Sequence, residues 1–549
     1  MCALIDRRNF LKSTAAVGSA AAMNPVRALA SRQQTSNGSF GLHSFVENHP
    51  EAVFIMRSNV DEINNNDAKK QVGLDFSRSV ILPRENGVPL TSLIPIKPNI
   101  RFEFGWNVNI QARKAARTPY KGTDAHFVEG VIEGMKELGM SGDQFFIREV
   151  NSQSDGGGTA DYPAIAERTG AELRYMGEKV GRISENDLVW VDTPEGIWYR
   201  KIPYLWPINA PDTWLLNIAK FKAHSMGLTL CAKNLQGSIA KNYQAHCVAY
   251  NARMDMDYAN HKNPEAQTEI MNNYERHLAD GVPRWDRPGD STWNSGIGME
   301  TWASRCLDNN AATPVGLQII EGIFGVDGHF LAGPNPTGNE NNPKGVSSEY
   351  MSNVIIFGLN SFHVDIIGHW LGGHEPGNLG LFHMSMENGM SSYLNPMSIP
   401  VYEWKNGEAV LTPLTDFERT PLLTYYMQRD YDGQTENYWH LIDEPFDYST
   451  VKVEDSYNDT KPEAFILSQN RPNPFNPYTS IEYSIPVGGN ARLEVYNASG
   501  QLIDVLVDGW QTKGSHMAVW NTNNHSSGVY FYRFRFGGLS DTKKMTLLK

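Results

Sequence analysis

Leu93-Ile94-Pro95-Ile96, then His126 to Leu138, then Gln144-Phe145-Phe146-Ile147 follow one another as an apolar run, an amphipathic stretch and a second apolar run. The two short runs have the length of buried strands. Between them Phe127, Val131, Met135 and Leu138 recur at helical spacing, and Gly139 stands where a helix stop belongs. A strand, helix, strand order joins two parallel strands by a crossover. The spacing predicts an α/β main domain with a mixed or parallel sheet over residues 41–447. A short helix is expected at Pro163 to Arg168. Met254 to Arg287 reads as a largely polar helical insertion with a solvated face.

From Phe465 to Lys549 the pattern changes to strict alternation. Ile481, Tyr483 and Ile485 fall on one face of a strand. Near the end Tyr530, Tyr532, Phe534 and Phe536 share one face, while Val529, Phe531, Arg533 and Arg535 share the other. The first set is expected in a core and the two arginines in water. This segment has eight Lys/Arg against five Asp/Glu, whereas the whole chain has 48 against 61. The shift in composition predicts a separate small all-β sandwich at 465–549, behind a linker at 448–464.

The whole chain of 549 residues is too long for one core and carries a net charge of −13. That sign, with no dense basic stripe, argues against nucleic acid as a partner. No apolar run reaches the roughly 18 residues of a membrane helix, so no transmembrane segment is expected in the mature chain. Four cysteines in this length make no disulfide framework. Cys2 lies near the start; Cys231, Cys247 and Cys306 fit buried small hydrophobes, with one disulfide left open.

Asp6-Arg7-Arg8-Asn9-Phe10-Leu11-Lys12, an Ala-rich weakly apolar stretch and Ala28-Leu29-Ala30 resemble a twin-arginine signal peptide over residues 1–30. Asp6 replaces the usual Ser/Thr. The resemblance implies the twin-arginine translocase as a partner and raises the expectation of a bound cofactor. Ser468-Gln469-Asn470-Arg471-Pro472-Asn473-Pro474-Phe475-Asn476-Pro477, Val495 to Gln501, Ser527 to Tyr532 and Lys543 to Lys549 resemble the C-terminal sorting domain of the type IX secretion system. It implies an immunoglobulin-like sandwich, contact with that machinery through residues 465–549, and delivery to the cell surface or the medium.

The middle of the chain resembles the domain of unknown function 362 family. The likeness is carried by Ile96-Lys97-Pro98-Asn99, Phe221-Lys222-Ala223-His224, Lys233-Asn234-Leu235-Gln236-Gly237, the acidic turn Ile320 to Gly328, and Val364-Asp365-Ile366-Ile367-Gly368. It covers most of residues 90 to 375 in motif order. The long insert after His246 and the His-rich stretch after Asn360 depart from the family. Membership implies a fold and candidate positions, not a reaction.

Lys220, Lys222 and His224 are spaced to point to one side of a strand end. With Lys97, Asn99, Lys233 and Asn234 they predict a cationic cleft for an anionic small molecule bearing a carboxylate or phosphate. The opposing reading is that these cations pair with acidic neighbours inside the core. Asp155-Gly156-Gly157-Gly158-Thr159 reads as a flexible loop more than an anion cradle. His363, Asp365, His369, His374, Glu375, His383 and Glu387 form the densest run of ligating side chains. Asp365, His363, His369 and His374 are the residues expected to hold a divalent metal ion, with Asp327 and His329 able to complete the set. Against a metal, no recognised zinc motif occurs, and His383 and Glu387 sit at the spacing of a helix surface pair. Two functions stay open. One is an exported enzyme using His224, Asp327 and Asp365 as acid–base or catalytic groups. The other is a non-catalytic binding protein on the same scaffold.

Overall fold

The structure is a computed structural model. It describes residues 38–100, 122–149, 161–175, 183–224, 227–228, 230–240, 263–283, 296–327, 348–423, 445–451, 465–470, 473–475, 478–485, 489–511, 514–522, 525–536 and 539–548. The expected signal peptide, the Asp155–Thr159 loop, Cys247 and His329 lie outside these residues. The chain divides into two compact units, Met1–Val451 and Lys452–Lys549.

The first unit is built on one mixed sheet of ten strands. Five of them run parallel in the order Leu317–Val326, Leu216–His224, Ile94–Pro98, Phe145–Glu149 and Glu172–Tyr175. Glu349–Gly358 continues the sheet antiparallel to Leu317–Val326, then come Val53–Arg57, Val401–Lys405 and Glu408–Leu411. The tenth, Gly227–Leu228, folds back on the end of Leu216–His224. The carboxyl ends of the five parallel strands therefore share one edge.

Both faces of the sheet are covered. On one face Ile96, Ile218 and Ile319 pack with Phe76, Phe127 and Val131 of the helices Asn66–Val80 and Ala125–Glu137. The expected stripe is present: Phe127, Val131 and Met135 are fully buried. Burying each such side chain contributes roughly 1.5–3 kcal/mol. Asp124 caps this helix by accepting from the His126 and Phe127 amides, and Gly139 ends it at φ 107°. The two helices approach until backbones touch: a Cβ on Gly130 would lie 2.0 Å from the Lys70 carbonyl oxygen, and one on Gly73 would lie 2.1 Å from that of Phe127. On the other face Ala219 and Phe221 pack with Trp302, Cys306, Val364 and Ile367 of the helices Gly296–Ala312 and Ser361–Leu371. The short helix expected at 163–168 is found as Tyr162–Thr169.

The helix expected in the polar insertion is present with a largely solvated face, and it also has a buried side. This helix, Ala266–Ala279, buries Ala266, Ile270 and His277. His277 stands between two carboxylates, with Nδ1 2.7 Å from Glu300 and Nε2 2.7 Å from Glu387. Burial opposes its charge, but the two carboxylates prevail and raise it to about 9. Glu387, placed in a His383 surface pair by spacing, is thus tied to a neighbouring helix. Cys231 and Cys306 are buried, as small hydrophobes are.

The second unit has two small antiparallel sheets. One orders Ile466–Leu467, Tyr478–Ile485 and Gly514–Asn521; the other Leu502–Gln511, Gly489–Asn497, Gly528–Phe536 and Leu539–Leu547. Ile481, Tyr483, Ile485, Tyr532 and Phe534 form its core. Alternation fixes the faces as expected: Tyr530 to Phe536 buries every second ring, and Arg533 and Arg535 lie outside. Among the described residues, no helix of either unit is long and apolar enough to cross a membrane.

Candidate functional site

Lys97 is the last but one residue of its strand. Ile94 and Ile96 enter the core under Phe127, so alternation turns Lys97 toward the opposite face. There it is buried, and its ammonium has three acceptors. These are the Pro98 carbonyl at 2.6 Å, Glu149 Oε2 at 2.8 Å and Asn234 Oδ1 at 3.2 Å. Three acceptors use all three N–H bonds of an ammonium. Burial lowers the proton affinity of Lys97, Glu149 restores part of it, and Lys233 lowers it further.

Asn234 is the hub of this edge. Its amide nitrogen donates to the Lys97 carbonyl at 2.9 Å and to Asn217 Oδ1 at 2.8 Å. Its Oδ1 also accepts from Asn99 Nδ2 at 3.3 Å. Asn217 in turn donates to Gln318 at 2.7 Å and to the Cys231 carbonyl at 2.9 Å. Lys222 donates to Asn99 Oδ1 at 2.8 Å. Gly237 closes the edge, because a Cβ there would lie 2.9 Å from Lys97 Nζ and 3.1 Å from Glu149 Oε1. The structure thus brings Lys97, Asn99, Lys222 and Asn234 together. Lys233 is on the same four-residue turn, Cys231–Asn234, and is half-buried. Its electrostatic effect on Lys97 places it close by, yet among the described residues no carboxylate pairs with it.

Lys220 departs from the expected row. The register with Leu317–Val326 shifts between Lys220 and Lys222. Lys220 lies opposite Glu321, and its ammonium sits 3.0 and 2.8 Å from the two carboxylate oxygens, both side chains being fully buried. It also rests on the Phe324 ring, 3.3 Å from the centroid. Glu321 accepts from the Asp124 amide, and Asp124 pairs with buried Lys69 at 2.7 Å. Burial lowers Lys220 and raises Glu321. This chain of charges is closed on itself.

Asp365 is committed to the backbone. Its two oxygens accept from the Cys231 amide at 2.7 Å and the Ala232 amide at 2.8 Å, at the start of the turn that carries Lys233 and Asn234. Burial pushes its carboxyl up to about 8, against the pull of those amides. Asp327 is likewise held, by the Ser348 amide at 2.7 Å and the Tyr350 hydroxyl at 3.0 Å. His224 is buried at the end of its strand, opposite Gly227.

The ligating run after Asn360 does not converge. On the helix Ser361–Leu371, His363 Nδ1 meets the Glu51 carbonyl at 2.9 Å, and His369 Nδ1 meets the Asp365 carbonyl at 3.0 Å. His369 Nε2 accepts from the Leu228 amide at 3.2 Å, and burial pushes this imidazole down to about 3. His374 Nε2 meets the Leu422 carbonyl at 2.7 Å, and His383 Nε2 the Gly377 carbonyl at 2.8 Å. Glu375 accepts from the Tyr448 hydroxyl at 2.9 Å. Among the described residues no group of three His, Cys, Asp or Glu side chains is placed to hold a metal ion. Among the described residues, Asp365, His363, His369 and His374 are not brought together as the expected metal set. Each of these side chains completes the backbone hydrogen bonding of a different segment.

Sequence reasoning missed Glu149, Asn217 and Gln318. Glu149 left a signal, as a carboxylate ending the apolar strand that follows the Lys97 strand. Asn217 and Gln318 left none, since a single amide inside a strand has many uses.

Residues 96–369 match the model of a family described as Domain of unknown function (DUF362), and residues 471–547 that of the Secretion system C-terminal sorting domain. The chain carries both domains. No curated protein matches it.

Proposed function

We propose that the protein is exported and binds a small anion, a carboxylate or phosphate compound, at the edge formed by Lys97, Asn99, Lys222, Lys233 and Asn234. The sorting domain supports a surface or secreted location. In this reading the twin-arginine signal takes the chain across the inner membrane, and the tail, an immunoglobulin-like sandwich, takes it across the outer one.

One observation carries the anion reading. The Lys97 charge is met by Glu149, whereas Lys233 beside it has no carboxylate among the described residues. A half-buried cation without a counter-ion among the described residues, next to asparagine amides at the carboxyl ends of parallel strands, favours an incoming anion. Asp365 and Asp327 each have two donors of their own, which favours binding over acid–base work by these carboxylates. The enzymatic reading rests on His224 for proton transfer.

The test is isothermal titration of the purified exported protein with inorganic phosphate, pyrophosphate and citrate. Binding of one of these, weakened about tenfold or more by Lys233→Met with the unfolding midpoint unchanged, is expected. Equal binding by the variant removes Lys233 from the site. Chemical change of a bound anion, lost in His224→Gln, would move the reading from binding to catalysis.

A further inference from the structure

We infer that the outer face of the four-stranded sheet in the C-terminal unit is the surface by which this domain docks on an acidic protein of the secretion machinery. The inference rests on the sorting reading of that domain.

Three strands build the face. Arg492 lies opposite Arg535, Glu494 opposite Arg533, Tyr496 opposite Phe531, and Phe531 opposite Lys544. Residues paired across antiparallel strands point the same way, so these side chains share one surface. Its centre is Glu494, which is buried on what is otherwise the solvent side. Glu494 takes Arg492 at 2.9 Å, Arg533 at 3.1 Å, Arg535 at 3.2 Å and the Tyr496 hydroxyl at 2.7 Å. Burial opposes its charge, and these donors still hold it down at about 2. The Arg533 guanidinium also lies over the Tyr496 ring, 4.6 Å from its centroid.

One carboxylate thus fixes three guanidinium groups that it does not neutralise. Among the described residues Asp508, paired with Arg492, is the second carboxylate of the face. Four cations (Arg492, Arg533, Arg535 and Lys544) stand against these two. Their heads stay accessible: the arginine side chains are 39%, 33% and 46% exposed in the order 492, 533, 535. Between them lie Tyr496 and Phe531, with Val529 at the rim.

A rigid sheet carrying arginine, tyrosine and phenylalanine has the composition of protein interface hot spots. Guanidinium groups already held in place lose less freedom on meeting a partner carboxylate than free ones do. The excess charge selects an acidic partner and speeds the encounter. A polyanionic glycan would be attracted by the charge, but would leave the aromatic centre without a role.

The experiment uses the full chain in a host that secretes it. Arg535→Gln combined with Lys544→Glu reverses the excess charge, while Arg492, Arg533 and Tyr496 still satisfy Glu494. Lys543→Glu, on the adjacent position pointing the other way, is the control, and deletion of 465–549 gives the baseline. The expected result is a fall of about tenfold in the exported fraction for the double variant, with an unchanged unfolding midpoint and normal export of the control. Wild-type protein should also be retained on immobilised poly-L-glutamate in a salt-sensitive way, and the double variant should not. Normal export of the double variant, with the deletion retained inside, overturns the docking face alone. Normal export of the deletion overturns the sorting reading itself. Retention on lipopolysaccharide micelles but not on poly-L-glutamate overturns the protein partner in favour of a glycan.

Discussion

Lys220 and Lys222 sit two residues apart on one strand, yet belong to different electrostatic regions. Lys220 meets Glu321 with both side chains fully buried, inside a chain that ends in Asp124 and Lys69. Lys222 meets an asparagine oxygen near the carboxyl end of the strand, on the edge where Lys233 has no carboxylate partner among the described residues. The first region is closed and neutral within itself; in the second, Lys97 is met by Glu149 and Lys222 by an amide oxygen, while Lys233 has no carboxylate among the described residues. A lysine inside a motif therefore says little until its counter-ion is known.

The comparison breaks most visibly at Glu321. Glu321→Gln should destabilise the first unit by about 3–5 kcal/mol, because it leaves Lys220 charged and buried without a partner. Urea unfolding reads this directly. Lys220→Met combined with Glu321→Gln, which removes both charges and keeps an acceptor for the Asp124 amide, should recover part of the loss. If the single variant is as stable as wild type, the closed region is not a charge pair.

Asp365→Ala comes next. It frees the Cys231 and Ala232 amides in a buried place, at a cost of about 1–3 kcal/mol. Because the same turn carries Lys233 and Asn234, anion binding should weaken as well. Loss of binding with full stability would return Asp365 to the site as a direct ligand.

His277 marks an intermediate case, a cation held by two carboxylates. Its folded proton affinity is raised from 6.5 to about 9. Its contribution is then complete below about pH 6.5 and disappears as pH rises through about 9. Thermal midpoints measured from pH 6 to 10 should fall across that window by an amount that His277→Gln reduces. The smallest effect belongs to Lys233→Met, which should change stability by less than about 0.5 kcal/mol while weakening the anion.

Much of the framework is visible in local spacing. Phe127, Val131 and Met135 mark a helix face by themselves, and the rings from Tyr530 to Phe536 mark a strand face, because both patterns are periodic within a few residues. The family motifs likewise point to Lys97, Asn99, Lys222 and Asn234, which the fold does gather. What separates Lys220 from Lys222 is Glu321, about a hundred positions away and brought opposite by strand register. The imidazoles after Asn360 are crowded in sequence, but a helix sends His363 and His369 to different neighbours. Density along a chain is not convergence in space.

The Cys231–Asn234 turn is only four residues long and would not persist alone in water. What holds its first amides is Asp365, 134 residues further along. During synthesis the ribosome therefore releases Lys97, Asn99, Lys233 and Asn234 well before the residue that holds the Cys231–Asn234 turn. A nascent or truncated chain carries every cation of the edge without the edge itself. In the proposed reading, capture of an anion reports that the domain has been completed.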